Sequence, residues 1–468
     1  MSCIEYKVTT PKEDTYPQEI ILQLENLTNK LEYHIHSANC KLVKSQLVSL
    51  IEIVSNIPKF SIPNPIFLPK LFMLCSSIII SCSNLTIPLD HRDNLIYTSL
   101  SVISYLSSLC DEGFAQNLIQ DQCFPVILQY TNEINDPDLL EHCLTLLNNI
   151  VSDSFDASNV ILNFLRPERI KEIIFGDDFQ QASISAAALL SSLSIMHLND
   201  DQLLPIASVL LNCLQFYFFE KTGYCLYRDV LFELSNGISK LINDSPLILQ
   251  FLLENNFMIF LNDNSPDFLL FEVLSFIIRC IQQSIPVNID KDMIFHYLRT
   301  FYSKLQNETY SSDDNPDLIQ RLFVLTTDLL YIFIREYPEL FCEKIENEDL
   351  NLLEEILINS NSEVKISMLL AFAYIIQNIT DSLKLSLLEI CPKALEIMSE
   401  SFEEDSEEDE FNNALFIALM FLCSAEKNAN KSSFFQFSSE YGFISKVRSL
   451  EPKSRSHYSD LMKILLKQ

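Results

Sequence analysis

Residues 122–151, QCFPVILQYTNEINDPDLLEHCLTLLNNIV, contain the pattern that decides the fold. Apolar side chains recur here at intervals of about three and four residues, which is the spacing of one helix face. The phrase Asp136-Pro137-Asp138 in the middle indicates a helix start. Asp136 can cap the helix, Pro137 fits the first turn, and Asp138 favours the positive end of the helix dipole. The stretch therefore predicts two helices joined by a short turn.

The same phrase returns twice with its first residue changed, as Ser265-Pro266-Asp267 and Asn315-Pro316-Asp317. Pro266 lies 129 residues after Pro137, which is three times 43. At about this period we predict further helix starts near Lys41, Asn94, Gln180, Tyr224, Ser362, Phe411 and His457. A repeat of about 42 to 53 residues with two or three helices is typical of a solenoid.

Strand-like alternation is hard to find along the chain, so we expect an all-α fold. The repeats predict a right-handed α-solenoid superhelix of about nine to ten degenerate units. The expected domain order is an N-terminal helical cap (1–38), helical repeats (39–402), an acidic loop (403–410), and terminal repeats with a C-terminal cap (411–468).

These units resemble the armadillo/HEAT-repeat family. In an armadillo repeat a short turn leads into two helices, and the last helix reads roughly as an acidic cap, apolar residues and Leu-x-Asn-Ile. Residues 122–151, 256–281 and 361–380 fit that plan. The chain departs from the family at the glycine between the helices, because it has only five glycines in 468 residues. We therefore expect Asn, Asp, Ser and Pro to make the turns, and some repeats to approach the two-helix HEAT pattern.

The resemblance implies a binding groove on the concave surface, which the last helix of each repeat lines. Importin-α-type proteins use Trp-x-x-x-Asn pairs there: the amides hold a peptide backbone, and the rings hold basic side chains. This chain has no tryptophan. It has Phe232 and Asn236, Tyr374 and Asn378, and Asn149 at matching places. The alternative is that Asn236 and Asn378 end their helices and that the aromatic rings belong to the core.

The net charge of −31 favours a basic protein segment as the partner. It disfavours nucleic acid and anionic lipid, whose phosphates such a chain repels. Residues 1–60 carry Lys and Arg only singly, so the basic N-terminal arm of an importin-α is missing. A divergent nuclear transport adaptor therefore stays only an alternative.

Residues 403–410, EEDSEEDE, contain seven acids in eight positions. Such a run is usually a solvated loop between helices, and the alternative is a docking surface for a basic segment. Ser401 and Ser406 each have an acid three residues later, a pattern that acidophilic kinases accept. Both serines are therefore candidate phosphorylation sites.

Thirteen cysteines are scattered singly, without Cys-x-x-Cys, and many have apolar neighbours. With no apolar targeting core in the first twenty residues, this favours a reducing compartment. We expect the cytoplasm, with the nucleus as the alternative. Residues 71–89 and 202–219 carry no charge and approach transmembrane length, but Asn84 and Pro88 break the second half of the first stretch, and the second contains Pro205. We expect buried helices of a helical stack rather than membrane insertion.

Catalytic motifs are absent from the sequence: no nucleophile elbow, phosphate loop or His-Glu-x-x-His is present. His34, His36 and Cys40 form the one tight His/Cys group, too few for a zinc site. We expect no cofactor and no enzyme. The leading interpretation is a non-enzymatic scaffold that binds an extended basic protein segment. The alternative is a regulatory subunit of a larger complex, such as a phosphatase scaffold or the helical-repeat subunit of a proton-pumping ATPase.

Overall fold

The chain divides into two compact units, Met1–Ile248 and Leu249–Gln468. Helices make up both, and the described residues contain no strand, so the predicted all-α fold is confirmed. The structure is a computed structural model that describes residues 18–56, 67–83, 89–109, 112–133, 136–176, 180–194, 198–219, 224–242, 245–307, 315–402, 410–429, 433–443 and 445–446.

The first unit repeats a simple plan of short helices followed by a long one. Two three-helix repeats, α5 to α7 and α8 to α10, lie between two pairs of long helices, α3 with α4 and α11 with α12. The helices are α1 (Gln18–His36), α2 (Cys40–Val54), α3 (Phe67–Ser83), α4 (Leu89–Leu109), α5 (Glu112–Gln120), α6 (Cys123–Glu133), α7 (Pro137–Asp153), α8 (Phe155–Phe164), α9 (Pro167–Phe175), α10 (Gln180–Leu193), α11 (Asp200–Phe219), α12 (Tyr224–Leu241) and α13 (Pro246–Glu254), in which the division between the units falls.

The second unit follows the same plan. Helices α15 and α16 form a pair, while α17 to α19 and α20 to α22 form three-helix repeats. The elements are the 3₁₀ turn Phe257–Phe260, α14 (Asp267–Gln282), α15 (Lys291–Asn307), α16 (Pro316–Glu336), α17 (Pro338–Cys342), α18 (Asn347–Asn359), α19 (Ser362–Asn378), α20 (Asp381–Ile390), α21 (Pro392–Ser401), α22 (Glu410–Asn428) and α23 (Ser433–Glu440). Both units thus mix armadillo-like triplets with HEAT-like pairs. The total number of repeats and the handedness stay predictions.

Most helix starts agree with the repeat period. Helices α10, α12 and α19 begin at the predicted residues, and α2 and α22 begin one residue earlier than predicted. Helix α4 begins at Leu89, five residues before the predicted Asn94. The first turns of α4 are mostly polar, so the apolar periodicity that predicts a helix begins only later in the sequence. The start predicted near His457 lies outside the described residues.

Two of the three repeated phrases cap their helices as predicted. The Asp136 carboxylate accepts from the Leu139 N–H at 3.0 Å, and Asn315 Oδ1 accepts from the Asp317 N–H at 3.1 Å. Ser265 differs, because its hydroxyl donates to the Phe260 carbonyl and Pro266 itself is the N-cap of α14. The sequence phrase therefore marks the helix start in all three cases but predicts the capping bond in two.

The last helix of each repeat packs against the last helix of the next. In the first unit these are α2, α4, α7, α10 and α12, and in the second unit α14, α16, α19 and α22. We call each series the last-helix layer of its unit. Side chains bridge neighbouring repeats at the repeat distance: Thr145 Oγ1 lies 3.1 Å from Ser185 Oγ, and Gln202 Nε2 donates to Asn159 Oδ1, 43 residues away. The fold is thus held by contacts between sequence neighbours.

The uncharged stretches form helices α3 and α11. Helix α3 ends at Ser83, directly before the predicted break at Asn84. Among the described residues, α11 is the one helix long and apolar enough to cross a membrane, and half of its most apolar window is buried in the structure.

The described cysteines are free, and most are buried in helices of successive repeats. Burial raises the pKa of Cys143, Cys213, Cys280 and Cys423 to about 12. These thiols are therefore protonated at neutral pH and act as small apolar side chains.

Two helices end in Schellman motifs whose left-handed residue is not glycine. After α1, Ala38 has φ 54°, and its N–H and that of Asn39 donate back to the carbonyls of Ile35 and His34. After α14, Ser284 has φ 58° and makes the same pair of bonds together with Ile285. Glycine usually takes this position because it has no Cβ. The prediction that other residues replace glycine in the turns holds here, with alanine as well as serine.

Ser284→Gly should raise the free energy of unfolding by about 0.5–1 kcal/mol, since glycine relieves the left-handed strain and loses only part of that gain to chain entropy. Urea unfolding followed by circular dichroism measures the change. Asn256, with φ 63°, is the matched control, because asparagine tolerates this conformation and Asn256→Gly should change stability less. A destabilised Ser284→Gly variant would contradict this account of the turn.

Gly237 serves a different purpose from a turn. It lies inside α12, where a Cβ atom would come within 2.9 Å of Leu210 Cδ2 and 3.2 Å of the Ser191 Cα. Leu210 belongs to α11 and Ser191 to α10, so the missing side chain lets three helices approach closely.

Gly237→Ala should destabilise the first unit by about 1–2 kcal/mol, although alanine is the better helix former, because the backbone at Ser191 cannot move freely. Thermal unfolding checks the sign. The neighbouring Asn236→Ala, which places no new atom against Ser191, is the control. Equal or greater stability of Gly237→Ala would show that the three helices can separate at little cost.

Candidate functional site

One face of α7 carries a row of polar side chains. Asp138, His142, Thr145 and Asn149 follow one another at the three- and four-residue spacing of a single helix face. His142 lies against α4, while Thr145 bonds Ser185 on α10. The face is therefore shared between three consecutive repeats.

Asn149, a predicted groove residue, is half-buried between α7 and α4. Its Nδ2 donates to Ser107 Oγ at 2.9 Å and to the Ser104 carbonyl at 3.4 Å. The amide donors thus hold two repeats together. Its role in holding a peptide stays a prediction.

A second group lies nearer the start of α7 than Asn149, and we call it the α4–α7 cluster. It contains Tyr97 and Ser101 from α4, and Asp138, Glu141 and His142 from α7. The Tyr97 ring meets the His142 ring edge-on with centroids 4.8 Å apart, and Tyr97 keeps 38% of its surface exposed. Ser101 Oγ lies 3.0 Å from His142 Nε2. The cluster combines an accessible aromatic ring with two carboxylates at the start of α7.

The electrostatics of this cluster favour a cation. Burial and then the charge of Asp138 raise the pKa of Glu141, and burial followed by Asp138 and Glu141 raises the pKa of Tyr97. Burial lowers the pKa of His142, against the pull of Asp138. Within the described part of the chain, no Lys or Arg forms an ion pair with Asp138 or Glu141. Negative charge is therefore concentrated here without a compensating cation.

The predicted pair Phe232 and Asn236 lies on α12. Phe232 is 46% exposed. Asn236 lies within the helix, which continues to Leu241, and hydrogen-bonds Glu233 on the same helix. Burial raises the pKa of Glu233, while Lys240 donates to the Ser191 carbonyl and Oγ on α10. Since α10 lies between α7 and α12, Asn236 and Asn149 are two helices apart in the layer.

The predicted pair Tyr374 and Asn378 lies on α19 in the second unit. Asn378 is exposed and is the last residue of the helix, where its Nδ2 donates to the Tyr374 carbonyl at 2.8 Å. The Tyr374 hydroxyl donates to Glu410 Oε1 at 3.1 Å. Burial, then Glu410, raises the pKa of Tyr374 to about 12. Tyr374 is half-buried, and its role as a wall of the groove stays a prediction.

Of the two candidate phosphorylation sites, one lies within the described residues and the other lies outside them. Ser401 is the half-buried last residue of α21, and Ser406 lies outside the described residues with the rest of 403–409. Glu410, the last acid of the run, is the first residue of α22. Lys446 Nζ donates to the carbonyls of Glu400 and Phe402 and so holds the end of α21.

His34 and His36 lie in the last turn of α1, and Cys40 begins α2. In the described ranges no group of three or more His, Cys, Asp or Glu side chains is placed to hold a metal ion.

Tyr97, Glu141 and His142 were not predicted as site residues. The sequence did offer a signal, because Tyr97 precedes Glu141 by about one repeat and so faces it on the next last helix. An asparagine near the end of a last helix does not indicate this cluster, because the cluster lies at the other end of α7.

The helices form a repeat fold of the armadillo type, in which short helices lead into a long last helix that stacks on the next. No protein-family model and no curated protein matches the chain significantly. Among solved structures, an engineered protein of the Northeast Structural Genomics Consortium matches 95% of this chain and 98% of its own, at 12% identity and a TM-score of 0.60. This likeness shows the fold.

Two designed armadillo repeat proteins match less well. One, in complex with the peptide (KR)4, covers 56% of this chain and 100% of its own at 12% identity, with a TM-score of 0.43. The other covers 65% and 99% at 11% identity, with a TM-score of 0.41.

His142 should make the first unit sensitive to acid. Its folded pKa lies below the ordinary 6.5, so below about pH 6.5 the unfolded chain binds a proton that the folded chain resists, and stability falls as the pH falls. Urea midpoints between about pH 7 and pH 5 should therefore fall further for the wild type than for His142→Gln. Parallel curves for the two proteins would show that His142 is not held in its neutral form.

Proposed function

We propose that this chain is a non-enzymatic interaction scaffold that binds an extended, basic segment of another protein along the last-helix layer of its first unit. The observation that carries the proposal is the α4–α7 cluster, where the exposed Tyr97 ring lies within the electrostatic influence of Asp138 and Glu141. A Lys or Arg side chain from a partner would pair with the carboxylates and stack on the ring.

The spacing of the layer suits an extended segment. Packed helices lie about 8–10 Å apart and an extended chain advances about 3.3 Å per residue, so the path from α7 to α12 needs about six residues. At the α12 end, Asn236 offers an amide that can pair with a peptide backbone, and Phe232 offers an exposed ring. Of the predicted groove residues, Phe232 and Asn236 thus extend the proposed site rather than form its centre.

The charge of the whole chain supports the same partner. A net charge of −31 attracts a basic segment over a distance, and added salt weakens this attraction. The buried free thiols suit a reducing compartment, and we place the scaffold in the cytoplasm.

Fluorescence anisotropy with a labelled octapeptide of alternating Lys and Arg tests the proposal on the full chain. Asp138→Asn with Glu141→Gln should weaken binding about tenfold, because two ion pairs and the field around Tyr97 are lost together. Asn236→Ala should also weaken binding, because its amide is expected to pair with the peptide backbone. Unchanged affinity would remove Asn236 from the site.

The matched control is Glu168→Gln with Asp201→Asn, which removes the same charge from exposed positions on α9 and α11, outside the layer. Its affinity should stay within about twofold of the wild type. Equal weakening by both double variants would mean that only the net charge attracts the peptide. A wild type that does not bind the peptide at all would overturn the proposed function.

A further inference from the structure

The second unit also combines a tyrosine and a carboxylate in its last-helix layer, and here the two are in direct contact. Tyr374 on α19 bonds Glu410 at the start of α22 at 3.1 Å. Arg335 at the end of α16 joins them, with its Nη1 3.0 Å from Glu410 Oε1. These three residues, the Tyr374 cluster, come from three consecutive helices of the second unit's last-helix layer.

The two clusters differ in one respect. Asp138 and Glu141 have no Lys or Arg partner among the described residues, whereas the carboxylate of Glu410 already holds a guanidinium of this chain. Arg335 therefore shows directly which chemical group the Tyr374–Glu410 pair accepts. That group is a cationic side chain beside a carboxylate and a tyrosine hydroxyl.

We propose that Tyr374 and Glu410 form a second site for a basic side chain, and that Arg335 occupies this site and closes it in the free chain. The inference rests on the proposed function for the identity of the partner, a basic protein segment. Its geometry does not depend on the first unit. Arg335 is thus a specificity-determining residue, because a partner must displace it to bind at α19.

The contacts of Arg335 permit such displacement. Its side chain is 30% exposed and that of Glu410 is 66% exposed, so their ion pair is partly solvated and contributes little to stability. The Arg335 Nε also pairs with Glu336 on the same helix at 2.8 Å. The guanidinium can therefore leave Glu410 and keep a charged partner.

The experiment uses the same octapeptide and the full chain carrying Asp138→Asn and Glu141→Gln, so that the first unit contributes little binding. Adding Arg335→Gln should increase affinity about threefold, since the competing ion pair is removed. Arg335→Lys keeps the cation and is the matched control, with affinity expected to stay unchanged. Adding Glu410→Gln to Arg335→Gln should abolish the gain, and thermal unfolding verifies that each variant is folded.

No gain with Arg335→Gln would overturn the inference, and so would a gain that survives Glu410→Gln. The outcome is separate from that of the proposed function. If the wild type fails to bind but Arg335→Gln binds through Glu410, the first-unit site is refuted and the second site stands. If the wild type binds through Asp138 and Glu141 but Arg335→Gln adds no affinity, the first-unit site stands and the second site is refuted.

Discussion

The structure depends on the packing of each last helix against the last helices of its neighbours. Helix α7 buries apolar residues on two sides, towards α4 and α10, and α19 does the same between α16 and α22. A single repeat cannot cover such a helix, so its stability comes from the next repeat along the chain. Hydrogen bonds such as that between Asn149 and Ser107 then fix the alignment of α7 and α4. They contribute less to stability than the burial of apolar side chains does.

This dependence explains why the fold could be predicted and the site only in part. Helix periodicity and the Asp-Pro-Asp phrases are local signals, and they located α7, α14 and α16. The α4–α7 cluster is a non-local feature, because Tyr97 and Glu141 meet only when two repeats are stacked in a particular register. The pairing of Arg335 with Glu410 spans 75 residues and leaves no trace in either helix alone.

The asparagines show that the sequence can predict the position of a side chain on its helix without predicting its contacts. Asn378 matches the expected position on α19, yet its amide donor folds back onto its own helix. Asn149 also matches, and its amide joins two repeats instead of facing outwards. A sequence match identifies the place on the helix, while the neighbouring repeat decides what the side chain touches.

The buried thiols have a consequence for the dynamics of the chain. Cys143, Cys213, Cys280 and Cys423 lie in different repeats, and each is protonated and shielded while its helices stay packed. A thiol reagent can reach one of them only when that repeat opens. The rate of modification at each cysteine therefore reports the local opening equilibrium, repeat by repeat, without an introduced label. The chain carries its own set of probes for how separation of neighbouring helices spreads along a stacked array.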